Sequence, residues 1–303
     1  MIVSASYRTD IPAFYGAWFM NRLRDGACRV ANPYGGGDYT VSLRRGEVDG
    51  FVFWTKNIGS FVAPLAEIAA RGYPFVVQFT INGYPAALER SVPAAEQSVE
   101  KLKSLVAARG RRAVVWRYDP IVETGMTPYA WHADNFAKLA RALDGAVDEA
   151  VVSFAQIYRK SARNLAAAAR AHGFAWRDPD RGEKIALAER LAGIAADHGM
   201  RLTICAQPDI TVNGMAAASC IDAARLSDVA GRPIRARQKG NRPGCLCSES
   251  RDIGGYDTCP MGCVYCYAVS SRSAAQRRHA AHDAESLSLA AAAPTRRGRG
   301  AGR

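Results

Sequence analysis

The chain has 303 residues, 49% of them apolar, with 40 Lys and Arg against 28 Asp and Glu, a net charge of +12 and eight cysteines. Such a composition supports a sizeable core, and the length suits one large α/β barrel or two ordinary domains. No apolar run reaches the roughly 18 residues of a membrane helix, so no membrane partner is expected. The opening "MIVSASYRTDIPAFYG" lacks a basic region leading into an apolar stretch. It reads as a strand and not as a signal peptide, and the expected location is cytoplasmic. In that reducing compartment, clustered cysteines bind metal more often than they pair.

The first predicted strand, "IVSAS" (2–6), runs into Arg8 and Asp10. Cys28, in the amphipathic "WFMNRLRDGACRV", reads as structural, and "YGGGD" (34–38) as a flexible loop. The second strand, "GFVFWT" (50–55), ends at Lys56 and Asn57, and a helix over 61–72 follows. The third, "FVVQFTI" (75–81), carries Gln78 inside it and Asn82 after it, before a helix over 92–110. The fourth, "AVVWRYD" (113–119), brings Arg117 and Asp119 and leads to a helix over 127–145. The fifth, "EAVVSF" (149–154), precedes Gln156 and a helical pair over 161–173 and 183–199. The sixth, "RLTICA" (201–206), ends at Cys205 and Gln207, and a last helix spans 215–231. His132, His172 and His198 read as helix-end imidazoles; His279 and His282 fall in the tail.

Near-continuous apolar strands alternating with helices give a parallel sheet covered on both faces. No G-x-G-x-x-G follows the first strand, which removes support for a dinucleotide fold. Polar groups gather where the strands end, the face on which a (β/α) barrel carries its active site. The expected fold is therefore α/β, a partial (β/α)6 TIM-like barrel. Lys56, Arg117 and Asp119 are the catalytic candidates; Arg8, Asp10, Gln78, Gln156 and Gln207 are candidates for binding cofactor or substrate. A structural Arg117–Asp119 or Lys56–Asp10 ion pair is the plainer alternative.

Five of the eight cysteines lie in "GCLCSESRDIGGYDTCPMGCVYCYA" (244–268). Cys259, Cys263 and Cys266 form C-x3-C-x2-C. Three thiolates on one loop suit a [4Fe–4S] cluster, which usually takes four, and so leave one iron open to a ligand. Gly262 lets the backbone curl close. Cys245, Cys247, Cys205 and Cys220 could hold a second iron–sulfur cluster, or be ordinary packing thiols. Zinc on paired cysteine knuckles is the rival metal.

"CPMGCVYC" resembles the cluster loop of the radical S-adenosylmethionine (SAM) superfamily, including the aromatic before the last cysteine. The resemblance implies that Cys259, Cys263 and Cys266 ligate the cluster and that Tyr265 lies near the SAM adenine. It also implies that SAM is split to a 5′-deoxyadenosyl radical, with a flavodoxin or ferredoxin as electron donor. In that superfamily the loop follows the first strand; here it follows all six, as in a circular permutation. From "SYRTDIP" through "FWTKN", "QFTINGYP", "RYDPI" and "SFAQIYRK" to the cysteine loop, the chain resembles a bacterial family, domain of unknown function 1848, whose C-terminal cysteines look like that loop.

The expected organisation is a barrel body over 1–240, an iron–sulfur segment over 241–270 packed on it, and a disordered basic tail over 271–303. From Ser270 onward seven arginines stand against Asp283 and Glu285, so the tail holds +5 and the body +7. Nucleic acid is accordingly not the favoured partner. The expected function is an enzyme of the radical SAM type with an unknown substrate; the alternative is a non-catalytic iron–sulfur protein that transfers electrons or senses oxidants, associated with nucleic acid.

Overall fold

Strands covered on both faces need apolar residues at successive positions, and the central strands of the main sheet are of this kind. The computed structural model describes residues 1–32, 35, 37–212 and 215–290. The elements in order are β1 (Ile2–Ala5), α1 (Ile11–Phe14), α2 (Gly16–Asp25), β2 (Ala27–Val30), β3 (Tyr39–Ser42), β4 (Gly50–Thr55), α3 (Val62–Ala70), β5 (Phe75–Thr80) and α4 (Ala95–Arg109). There follow β6 (Val114–Ile121), α5 (Tyr129–Leu143), β7 (Glu149–Phe154), α6 (Arg159–His172), α7 (Arg181–Asp197), β8 (Arg201–Ile204), β9 (Ala216–Ala217), α8 (Ala223–Ala230), β10 (Ser250–Asp252) and α9 (Arg272–Ala280).

Eight strands form one parallel sheet in the order β10-β1-β4-β5-β6-β7-β8-β9; β2 and β3 pair separately as an antiparallel hairpin. The six expected strands are all present, and β9 and β10 extend the sheet at its edges. Among the described residues these two outer strands do not pair with each other, so the sheet is open rather than closed. Along each strand successive side chains take opposite faces. Val3, Phe51, Phe53, Val77, Trp116, Val152 and Ile204 face the helices, where Phe19 of α2 meets Phe51 and Phe53 edge-on at 5.3 Å. Ile2, Val52, Val76, Val115 and Val151 face the other way, against Ile221, Leu226, Ile234 and Cys247. Each such buried side chain contributes ~1.5–3 kcal/mol relative to exposure.

Two expectations change. The helix predicted over 215–231 is confined to α8, because Asp222 accepts a hydrogen bond from the Ala224 amide (2.8 Å) and caps it there. The expected disordered tail is structured as far as residue 290. α9 is capped by Ser271, and the chain beyond it returns to α2 and β2. Trp18 Nε1 donates to Ser286 O (2.8 Å), the Arg29 amide donates to Leu287 O (2.9 Å), and Leu289 is buried. Composition alone misses these anchors, since the alanines and arginines around them are also good helix formers. Residues 291–303 and, in the glycine loop at 34–38, Tyr34 and Gly36 lie outside the described residues. No helix among the described residues is long and apolar enough to cross a membrane.

His132 on α5 is an interior group and not a helix-end cap. Its Nδ1 lies 2.9 Å from the Tyr118 hydroxyl, and Nε2 lies 3.1 Å from Val122 O, to which it donates. Burial holds the imidazole down at about 4, against the hydrogen bond to Val122. Unfolding lets it take up a proton between that value and about 6.5. The contribution is thus complete above pH ~6.5 and falls away toward pH ~4, by about 3 kcal/mol. Urea unfolding from pH 7 to 4 should show native protein losing about that much more stability than His132→Gln; equal slopes would refute it.

Candidate functional site

The strand ends carry one continuous polar network. Asp10 caps α1, accepting from the Ala13 amide (3.0 Å), and accepts from the Lys56 amide at the end of β4 (2.8 Å). Burial lifts its carboxyl to about 6, with the Lys56 amide opposing. The Lys56 ammonium does not pair with Asp10. It pairs with Glu89 (Nζ–Oε1 2.8 Å), whose side chain is 1% exposed. Glu89 also accepts from Asn82 Nδ2 (3.1 Å) and from the Tyr265 hydroxyl. Asn82 Oδ1 in turn accepts from the Asp119 amide (2.9 Å).

Asp119 and Arg117 form the expected ion pair (2.6 Å), both on β6. Burial works against the Asp119 carboxylate, but Arg117 and a hydrogen bond from Ser153 outweigh it and leave the group below its ordinary value. Arg117 NH1 reaches Gln78 Oε1 (3.2 Å) and Cys220 Sγ (2.9 Å), and the guanidinium lies 5.0 Å from the Trp54 ring centroid. A buried charge so fully hydrogen-bonded is held in one orientation.

The cysteine loop leaves the end of β10 and lies across the segment after β5. The Val264 amide donates to Leu88 O (3.0 Å) and the Ser91 amide to Met261 O (3.1 Å). Cys259, Cys263 and Cys266 line one cavity of about 260 Å³, with Arg90, Arg272 and Gly262. Main-chain N–H groups point at the sulfurs: Ala268 donates to Cys266 Sγ (3.4 Å), and Asp10 to Cys259. Burial keeps all three thiols above their usual range, Cys259 at about 12; Lys56 pulls Cys263 and Cys266 the other way. The buried Arg272 Nε has no hydrogen-bond partner. Three convergent thiols, aimed amides and flanking cations fit a thiolate-held group with net negative charge.

Gly262 turns this loop at φ +88°, and a Cβ there would stand 2.6 Å from Arg272 Nε and 3.2 Å from Arg90 Cβ. Gly262→Ala should cost about 1–2 kcal/mol for the left-handed backbone alone. Thermal unfolding with no change of midpoint would contradict this.

Among the other candidates, Arg8 lies at the root of this loop, its guanidinium 5.4 Å from the Tyr256 ring centroid, while the glutamines take partners elsewhere. Arg8 is bound to Asp252 on β10 (Nε–Oδ1 3.0 Å), which also accepts from Ser4 (2.8 Å) and Ser6 (2.7 Å). Gln78 Nε2 donates to Cys220 O (2.8 Å). Gln207 is spent on the Phe154 main chain, accepting from its amide (2.8 Å) and donating to its carbonyl (3.1 Å). Gln156 faces Tyr158 and Arg242. Cys28 is a buried core thiol raised to about 12 by its burial. Cys205, Cys220, Cys245 and Cys247 come together as a second thiol group: Cys220 Sγ lies 3.5 Å from Cys205 Sγ, and Cys247 hydrogen-bonds both Cys220 and Cys245. As they stand, no three His, Cys, Asp or Glu side chains among the described residues are set to hold a metal ion.

Sequence reading overlooked Glu89, Asp252 and Arg242. Glu89 sits in "AALERS" with nothing local to mark it, and its partners Lys56 and Tyr265 are 33 and 176 residues away.

No curated protein and no solved structure matches the chain. Residues 2–268 match a family described as a domain of unknown function (DUF1848), so the match takes in every strand of the sheet and the whole cysteine loop, and the chain belongs to that family.

Proposed function

We propose that the protein is a radical SAM-like iron–sulfur enzyme, with Cys259, Cys263 and Cys266 holding a [4Fe–4S] cluster that has one open iron. The observation that carries this reading is the convergence of the three thiols on one cavity at the C-terminal end of the parallel sheet. The sheet order supports it. β10, the strand that feeds the loop, lies beside β1 at the sheet edge, so in space the loop follows an edge strand although it comes late in the chain. A partial barrel whose cluster loop has moved from the start of the chain to its end has this arrangement.

When bound, such a cluster supplies one electron to cleave SAM. The chain's own groups supply the surroundings. Lys56 faces Cys263 and Cys266 with a positive charge, Glu89 fixes that ammonium, and Tyr265 is oriented by Glu89 and Asn82 beside the loop. Tyr265 is suited to contact the SAM adenine, and Arg117 and Asp119 to hold a polar substrate. A flavodoxin or ferredoxin is the class of electron donor. The test is anaerobic reconstitution with iron and sulfide, reduction by dithionite and chromatography for 5′-deoxyadenosine. Formation dependent on reductant and SAM supports the reading; a reconstituted cluster with no SAM cleavage refutes it.

A further inference from the structure

We propose that Cys205, Cys220, Cys245 and Cys247 form a separate site for a single tetrahedral thiophilic ion, zinc or iron. The four residues come from three segments: the end of β8, the turn before α8, and the stretch that precedes β10. Three successive thiol contacts join them, 205 to 220, 220 to 247 and 247 to 245. The one spacing that separates the alternatives is the 3.5 Å between Cys205 Sγ and Cys220 Sγ. A tetrahedral ion with metal–sulfur bonds of about 2.3 Å holds its sulfurs about 3.8 Å apart. A cubane cluster carries each thiolate on a different iron and spreads the sulfurs wider. That contact is nearer the spacing around one ion than the spread across a cubane; as they stand the four thiols are not set around a common point, so binding must draw Cys245 and Cys247 in toward Cys205 and Cys220.

Charge agrees. Four thiols that release their protons to solvent around a divalent ion leave two negative charges. Two guanidiniums already donate to these sulfurs, Arg117 to Cys220 (2.9 Å) and Arg242 to Cys205 (3.7 Å). The Ile221 amide adds a bond to Cys247 Sγ (3.4 Å). The backbone is shaped around the group as well. A Cβ at Gly240 would stand 2.2 Å from Cys245 O, and Ala206, next to Cys205, takes a positive φ of 52°. Cys220 and Cys247 are buried, while Cys205 and Cys245 are half-exposed and leave the ion a way in. The ion would tie the stretch before β10 to β8, fixing the far side of the polar network from the cysteine loop.

The inference does not depend on what the loop holds, so the test removes the loop thiols. The metal-stripped Cys259→Ala/Cys263→Ala/Cys266→Ala chain is titrated with cobalt(II) under reducing conditions. About one equivalent should bind with the intense visible absorption of tetrahedral tetrathiolate coordination. Adding Cys245→Ser, a near-isosteric change at a part-buried loop position on the rim of the core, should abolish that spectrum and weaken binding at least about tenfold. Should the triple variant not fold, native protein is assayed instead for one zinc or iron beyond the iron matched by acid-labile sulfide. No cobalt spectrum, a spectrum indifferent to Cys245→Ser, acid-labile sulfide in the triple variant, or a Cys205–Cys220 disulfide found by mass under reducing purification would each overturn the proposal.

Discussion

Cys263→Ala is expected to yield protein with no stable iron–sulfur absorption after reconstitution and no SAM cleavage above background, with the far-ultraviolet dichroism of the native chain retained. The cause is local. Cys263 sits between Leu88, whose carbonyl anchors the next residue, and Lys56, which lies close enough to favour its thiolate. Removing the sulfur leaves only two of the three thiols proposed to hold the cluster, while the loop stays fastened through the main chain at Met261 and Val264. Iron and sulfide analysis beside the dichroism checks the result. Full iron and sulfide in the variant would mean that Cys263 is not a ligand.

Glu89→Ala is expected to destabilise the fold by about 3–5 kcal/mol, the usual cost of removing one partner of a buried ion pair. The Lys56 ammonium would lose its counter-charge in a place where its side chain is 14% exposed, and the Tyr265 hydroxyl and Asn82 amide would each lose an acceptor. The paired Glu89→Ala/Lys56→Met chain should recover much of that loss, because no unpaired charge remains. A denaturant-based double-mutant cycle measures both terms. A Glu89→Ala cost below about 1 kcal/mol would show that the pair is solvated rather than buried.

How much of this was legible in the sequence depends on range. The central strands were plain because their signal is local: "GFVFWT" and "EAVVSF" match β4 and β7 residue for residue, since a strand covered on both faces shows as a near-continuous apolar run. β10 was invisible because "SRD" carries no apolar pattern. It is held by Asp252, which collects Ser4, Ser6 and Arg8 across the chain. The β2–β3 hairpin escaped for a related reason, as two four-residue strands separated by a glycine-rich stretch. In the site, the cysteine triad was legible from spacing alone, and the Arg117–Asp119 pair from two charges in an apolar strand. The Lys56 partner was not, because the choice between Asp10 and Glu89 depends on where the segment after β5 passes, and only the folded sheet sets that. The four remote thiols could be counted in sequence; that they meet on one side of the sheet, beside two arginines, required the structure.

The proposal of an open iron on the cysteine loop is tested most directly by electron paramagnetic resonance of the reconstituted, dithionite-reduced protein with and without SAM. A cluster held by only three protein thiolates offers a vacant iron, so adding SAM is predicted to change its resonance. A resonance unaltered by SAM, or a preparation with zinc and no sulfide at the loop cysteines, would contradict the account.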